Sequence, residues 1–460
     1  MPLELNDIVR FLQNKKILIA GFGREGKSSY AFLKKHLPER QIFIADRNAK
    51  VFEELPQYFP ISNLFHGDEY LKEASQFDLI LKTPGIPMSA FSHVNNNDII
   101  SSQTELFLKF FRSRVIGITG TKGKSTTSSL IHHILKENNQ DSILAGNIGS
   151  PIFDYLDTHK GTYIVELSSH QLQNCHYSPH ISVLLNIFPE HLDHYKSYEA
   201  YAEAKWQIAL HQDEDDKLIL PNELYQCSSE KMKLKANIQV FDTERLKLDG
   251  IDSLAFGENS IFYRDSMGEN IIRCNCSKFK LRGKHNRLNM GAAYLSAACF
   301  GLSDDEIMGA MYSFEALPHR LEFVGTYKEI DFYNDSIATI PEASIAALES
   351  IPESDTIILG GYNRGIRYES LIQYLISSNV NNLIMLGEVG QILKNELRKY
   401  NHHMKVYDAY NIGMAVEMAY KHTRKGKACL LSPAASSYDQ FKNFEDRGDQ
   451  FKVAVRTVGA

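Results

Sequence analysis

RVIGITGTKGKSTTSSLIHHIL, residues 114–135, decides how this chain is built. An apolar run that reads as a buried strand enters a turn containing Gly120 and Gly123, and a stretch with helical apolar spacing leaves it. Such a turn can aim several backbone N–H groups at phosphate oxygens, the helix N-terminus adds positive potential, and Lys124 can reach the terminal phosphates. Ser125 or Thr126 is then placed to hold Mg²⁺. The strict G-x-x-x-x-G-K-S spacing fails at one position, where Ile118 replaces the first glycine. The stretch predicts ATP binding through Gly120, Thr121, Lys122, Gly123, Lys124, Ser125 and Thr126, set against a glycine turn with no ligand.

Outward from this loop, strands alternate with helix-length spacers. Apolar runs at 142–147, 162–169, 182–188 and 217–221 continue a parallel sheet whose core begins near residue 104. Upstream, runs at 15–20, 41–46 and 77–82 form a small α/β domain of their own. Between 236 and 283 the segments shorten and alternate, as in SIFYRD and ENIIRCNC around the turn signal Met267-Gly268, which predicts appended antiparallel strands. Strands return as FYNDS, DTIILGG, NNLIMLG, MKVYD and KACLLSP from Phe332 onward. The expectation is an α/β protein of three domains: Rossmann-like over 1–103, a P-loop ATPase domain with a parallel sheet plus a small antiparallel sheet over 104–316, and Rossmann-like over 317–460.

The 460 residues agree with about three domains at roughly 150 residues each. Hydrophobic residues at 43% and charged residues at 23% exclude a disordered or fibrous chain. A net charge of −6 argues against wrapping duplex nucleic acid and leaves room for a nucleotide in a local pocket. The six cysteines (Cys175, Cys227, Cys274, Cys276, Cys299, Cys429) are scattered, and the C-x-C of Cys274 and Cys276 matches no zinc pattern. Glu4 and Asp7 precede any apolar run, and no run approaches the ~18 apolar residues of a membrane span, so a cytoplasmic protein is expected.

A second glycine loop, GFGREG with Gly21, Gly23 and Gly26, follows the strand KILIA, and Asp46 ends the next strand. This matches a dinucleotide fingerprint, yet by itself it does not distinguish a nicotinamide cofactor, a nucleotide-linked substrate and close strand-to-helix packing. Three further residues fall where strand ends of an α/β sheet face one crevice or nearby: Glu166 closing TYIVELSS, His191 in NIFPEHLDHY, and Lys205 in YAEAKWQIAL. A carboxylate, an imidazole and loop hydroxyls suit magnesium beside nucleotide oxygens. Taken singly, His191 also reads as a solvated loop histidine and Lys205 as a surface lysine.

Together these segments resemble the Mur ligases along essentially the whole chain: GxGxxG with Asp46-Arg47, TPGI, TGTKGKST, GNIG, ELSSHQL, PEHLDHY, AEAK, GKHNRLN, LPHRLE, NDSIAT, LGGYNR and LSPAASSYDQFKNFEDRG, in order. The resemblance implies an ATP-dependent, ADP-forming ligase of peptidoglycan precursor synthesis, acting as a monomer in the cytoplasm, that joins D-glutamate to UDP-N-acetylmuramoyl-L-alanine through an acyl phosphate. It reassigns the first glycine loop to a uridine nucleotide, with Gly21, Phe22, Gly23, Arg24, Asp46, Arg47, Thr83 and Asn147 on the UDP substrate. It puts Asn286, Asn289, Arg320 and Asp335 on ATP, with closure of the third domain completing the site. Thr339, Arg364, Ser437 and Phe444 fall to the amino acid. Lys124, His191 and Lys205 become catalytic, two Mg²⁺ ions fall to Ser125, Glu166, His191 and Lys205, and Lys205 is expected to carry a carbamate. Asn286 and Asn289 also read as caps of the helix beginning there.

The chain departs from the family pattern near the acceptor residues. Arg364 stands where many members have lysine, Ile337 replaces another lysine, and His194 replaces an arginine. A guanidinium grips a carboxylate bidentately where an ammonium acts as a point charge, so L-glutamate or another acidic acceptor stands as the alternative. Other superfamily activities, such as folylpolyglutamate synthesis, and a catalytically dead nucleotide-binding module are the remaining rivals.

Overall fold

The computed structural model describes all residues except 1, 2, 148, 192, 193, 229–231, 249, 258, 259, 266, 267 and 275–277. Ile148, Leu192, Asp193, Met267, Asn275 and Cys276, each within a motif quoted above, lie outside the described residues. The chain divides into two compact units, Met1–Asn275 with Leu288–Met311, and Cys276–Arg287 with Tyr312–Ala460.

The first unit holds two sheets. One comprises β1 (Ile17–Ala20), β2 (Ile42–Asp46), β3 (Leu64–His66), β4 (Leu79–Lys82) and β5 (Ile100–Ser101), all parallel, in the order β3-β2-β1-β4-β5. β1 and β4 are buried along their whole length, which is why they read as apolar runs up to Lys82 at the end of β4. The other sheet comprises β6 (Val115–Thr119), β7 (Ser142–Gly146), β8 (Thr162–Glu166), β9 (Ile181–Leu184), β10 (Lys217–Pro221), β11 (Asn237–Asp242), β12 (Asp252–Phe256), β13 (Ser260–Asp265) and β14 (Gly268–Arg273), in the order β14-β13-β12-β11-β10-β9-β6-β8-β7.

Two expectations change here. β11 and β12 pair in parallel, and only β13 and β14 run antiparallel, as the edge of this same nine-stranded sheet and not as a separate small one. β9 stops at Leu184 because the backbone beyond it turns aside to bond the phosphate loop: Leu185 N donates to Thr119 O at 2.9 Å, and Thr121 N to Asn186 O at 3.0 Å.

The helix Leu3–Leu12 buries Leu5, Ile8 and Leu12 completely on one face, at helical spacing. These join Ile17 and Ile19, Phe107 and Phe111 of the helix Gln103–Phe111, and Tyr163 and Val165 of β8 in one apolar core that spans both sheets. Each such side chain contributes roughly 1.5–3 kcal/mol by burial.

The second unit is built on β15 (Glu322–Tyr327), β16 (Ile330–Asn334), β17 (Ser354–Gly360), β18 (Asn382–Leu386), β19 (Lys405–Asp408) and β20 (Lys427–Leu431), in the order β15-β16-β20-β17-β18-β19. Only β15 and β16 pair antiparallel. β20 inserts between β16 and β17, so the strand order reverses there, at the carboxyl ends where a sheet of this kind receives a ligand.

Candidate active site

The phosphate loop leaves β6 at Thr119 and enters the helix Lys124–Glu137 through Gly123, which caps it in the left-handed region at φ 88°. A Cβ on Gly123 would lie 2.4 Å from Asn289 Oδ1, so the turn closes only with glycine, and Asn289 is brought against the loop. The loop is held from the β9 side: Lys122 N donates to Asn186 Oδ1 at 2.9 Å, Asn186 Nδ2 returns a bond to Lys122 O at 3.0 Å, and Phe188 N donates to Thr121 Oγ1 at 2.9 Å. Lys124 folds back over the loop, its Nζ donating to Gly120 O at 2.9 Å and Thr121 O at 3.1 Å. Ser125 is half-buried and Thr126 buried in the first helical turn.

Because β6 lies between β8 and β9, the residues at their carboxyl ends meet the loop. Lys205, on the helix Tyr198–Leu210, is buried and donates to the same Gly120 O at 2.9 Å. Burial, and then the adjacent Lys124 ammonium, push Lys205 down to about 7. Glu166 is buried at the end of β8; Asn147 Nδ2 donates to its Oε1 at 2.8 Å, while Oε2 has no partner. An orphaned, buried carboxyl oxygen beside a phosphate loop is the donor a hard divalent cation requires, so the residues present fit magnesium. His191 is half-exposed with φ 57°, and its ring lies 5.1 Å from that of His170. Burial, with His194 and His191 nearby, holds His170 down at about 4, a neutral imidazole. Lys124, Asn147, His191 and Lys205 line one cleft, walled on another side by Pro84 and Gly85 of the TPGI turn.

Four residues of this site carry no assignment from sequence. Tyr201 OH lies 3.0 Å from Thr121 Oγ1, and its ring centroid is 4.9 Å from Lys205 Nζ; its position four residues before Lys205, on one helix face, was the available signal. Glu190 accepts from Lys122 Nζ at 2.7 Å, and its place beside His191 pointed to it. His170 and Ser168 line the cleft from the start of the helix Ser169–Leu172, and their place in ELSSHQL, just after Glu166, was the available signal.

The first glycine loop is shaped by contact with the TPGI turn. Gly21 has φ 92°, and a Cβ there would sit 2.0 Å from Thr83 Oγ1. Phe22 turns its ring into the core against Tyr30 and Phe52, and its N–H donates to Asp46 Oδ2 at 2.7 Å. Asp46 Oδ1 accepts from Asn48 N at 2.9 Å, so the carboxylate braces two loops. Gly23 caps the helix Arg24–His36. Arg47 is largely exposed, with Nε 3.6 Å from Asp68.

The second unit carries Asn286, Arg320, Asp335, Thr339, Arg364, Ser437 and Phe444, whereas Asn289 belongs to the first unit. Asn286 and Asn289 sit inside the helix Lys284–Ala298, and Asn286 Nδ2 bonds back to Arg282 O at 2.7 Å, so neither is its N-cap. Asp335 is buried, accepting from Ser432 Oγ at 2.8 Å and Leu321 N at 3.2 Å; burial pushes it up to about 7. His319 and Leu321, flanking Arg320, both adopt positive φ, 63° and 46°.

The middle of the chain, residues 118–297, matches the model of the Mur ligase middle domain. The chain is 31% identical over 471 residues to the UDP-N-acetylmuramoylalanine--D-glutamate ligase of Clostridium tetani, covering 100% of both, and 31% identical to that of Thermoanaerobacter pseudethanolicus, covering 96% of this chain and 98% of the relative. In fold it is similar to the MurF ligase of Thermotoga maritima solved in complex with ADP (TM-score 0.59, 16% identity, 100% of each chain) and to MurC from the same organism (TM-score 0.55, 15% identity, 97% of this chain and 100% of the other). The chain belongs to the Mur ligase family, ATP-dependent ligases that form ADP. Among the described residues no helix is long and apolar enough to cross a membrane.

Proposed function

We propose that this protein joins D-glutamate to the alanine carboxylate of UDP-N-acetylmuramoyl-L-alanine, with ATP consumed to ADP and phosphate. The observation that carries the reading is the convergence of two buried or half-buried lysines, Lys124 and Lys205, and the carboxylate Glu166 on one phosphate loop. Relatives that match the chain along its length carry the same activity in their names.

A carboxylate resists attack by an amine because its carbon is shielded by negative charge. The alanine carboxylate therefore attacks the γ-phosphorus of ATP, the bond to the ADP oxygen breaks, and an acyl phosphate forms. The free amine of glutamate attacks the acyl carbon, phosphate leaves, and the nitrogen gives up its proton. Lys124 and the N-terminus of the helix Lys124–Glu137 stabilise the phosphoryl charge as it develops. Bound magnesium would supply further neutralisation of that charge, held by Ser125, Glu166, His191 and Lys205. Asn147 fixes the Glu166 carboxylate from the substrate side. Gly21 to Arg24, Asp46, Arg47 and Thr83 take the uridine nucleotide; Asn286, Asn289, Arg320 and Asp335 are assigned to ATP, and Thr339, Arg364, Ser437 and Phe444 to the acceptor.

Lys205 enters this chemistry as a carbamate: its neutral amine adds to carbon dioxide, a proton is released, and a repelling ammonium becomes an anion suited to magnesium. A group held at about 7 supplies that neutral amine near physiological pH. We assign residues 1–103, 104–316 and 317–460 to the UDP substrate, ATP and the amino acid. The test is phosphate release with UDP-N-acetylmuramoyl-L-alanine and each of D-glutamate, L-glutamate, L-lysine and diaminopimelate. Turnover with D-glutamate supports the reading; turnover with L-glutamate alone shifts the stereochemistry, and turnover with neither rejects it.

A further inference from the structure

We propose that Arg447 is the positioning residue of the acceptor subsite, a buried guanidinium that locks together the loops carrying Thr339, Ser437 and Phe444. The proposal rests on the functional reading above. Arg447 lies one turn into the helix Phe444–Gly459 and is 1% exposed. Its Nε donates to Ser336 Oγ at 2.9 Å, and its Nη2 to Ser336 O at 2.8 Å and Ala435 O at 3.0 Å. Ser336 Oγ in turn donates to Phe444 O at 2.8 Å, so one hydroxyl couples the loop after β16 to the start of the helix.

The third loop arrives from β17. A Cβ on Gly361 would lie 3.2 Å from Arg447 Nη1 and 2.2 Å from Ser436 O, so glycine lets this loop press against the guanidinium. Tyr362 N donates to Ser436 O at 2.9 Å, and Gly360 N to Pro433 O at 2.8 Å, joining the β17 and β20 loops directly. Nη1 itself is buried without a partner. Ala434, immediately before the Ala435 carbonyl that Arg447 holds, adopts φ 56°.

Burying a guanidinium costs several kcal/mol, and the three bonds to Ser336 and Ala435, made by a planar fork that only arginine presents, offset part of it. The loops so joined are those outside the carboxyl ends of β16, β17 and β20, where a sheet of this topology receives its ligand. They carry Thr339, Arg364 and Ser437, and the adjoining helix carries Phe444, so displacing the guanidinium moves the acceptor contacts as a set. The phosphate loop belongs to the first unit and this network to the second.

The test uses the full-length Arg447→Lys and Ser336→Ala proteins beside wild type. Michaelis constants are measured for ATP, the UDP substrate and glutamate, and acyl phosphate formed without amino acid is trapped by borohydride reduction. The expected result is a glutamate KM raised by about tenfold or more, the other two constants within about twofold, and acyl phosphate formation retained. A rise of all three constants together, or a glutamate KM within about twofold of wild type, overturns the proposal. Should Arg447→Lys fail to fold, Ser336→Ala decides alone, because it removes the bridging hydroxyl and leaves the charge in place. Wild type inactive with either glutamate isomer overturns the functional reading instead, and the comparison is then made with the acceptor that does turn over.

Discussion

Lys124 and Lys205 direct their side-chain nitrogens at one oxygen, the carbonyl of Gly120, each at 2.9 Å. Burial, and then the neighbouring Lys124 charge, disfavour the ammonium, which is why Lys205 sits near 7. Lys205→Ala is expected to lower turnover by about a hundredfold or more, with partial recovery on adding short carboxylic acids that replace the lost carbamate anion. Full activity without them contradicts the carbamate. Density or a carbon-13 signal at the lysine Nζ after incubation with labelled bicarbonate gives an independent reading.

Glu166 holds one carboxyl oxygen, Oε2, buried without a hydrogen-bond partner. Glu166→Gln replaces the carboxyl with its orphaned oxygen, while its amide oxygen can still accept from Asn147. Thermal unfolding without ligands should show a variant at least as stable as wild type, and turnover should fall by about a hundredfold or more. A variant that loses stability and keeps its activity would assign the carboxylate to the core.

Gly123→Ala tests the loop geometry. The residue holds φ 88°, and its new Cβ would meet Asn289 Oδ1 at 2.4 Å. A stability loss of about 1–3 kcal/mol and a rise of about tenfold or more in KM for ATP are expected, read by denaturant unfolding and steady-state kinetics. An unchanged KM for ATP would disconnect this turn from nucleotide binding.

Asp335 supplies a pH dependence with a definite sign. Burial lifts its carboxyl from 3.8 to about 7, and the bonds from Ser432 and Leu321 only partly oppose this. The folded chain therefore holds the proton more tightly than the unfolded one; the contribution is complete below about pH 4 and is lost as pH rises through about 7. Between pH 5 and 8, wild type should lose stability relative to Asp335→Asn, which does not titrate. Parallel denaturation midpoints for the two proteins across that range would show that Asp335 is not the group responsible.

The α/β class and the strand–turn–helix phosphate loop were legible in residues 114–135 because both depend on local preferences: apolar runs for buried strands, left-handed glycine at the turn, and apolar spacing along the helix. Two features were read less well for a physical reason. The segments at 237–256 alternate like antiparallel strands yet pair in parallel, since pairing direction is set by the neighbour and not by a strand's own pattern. The residues at 185–188 are apolar enough for a strand, but their backbone groups are drawn to the phosphate loop.

Motif order proposes which residues belong to the chemistry and indicates the kind of sheet that carries them. Their meeting is a matter of strand order: placing β6 between β8 and β9 is what brings Glu166 and the Asn186 loop to Gly120, and packing the helix Tyr198–Leu210 behind them delivers Lys205 and Tyr201. The same holds for Arg447, whose partners Ser336 and Ala435 come from loops far apart in the chain. Periodicity reveals which face of an element is buried, but the partner of a buried polar group is chosen by packing, and a lone arginine or lysine in a sequence carries no mark of it.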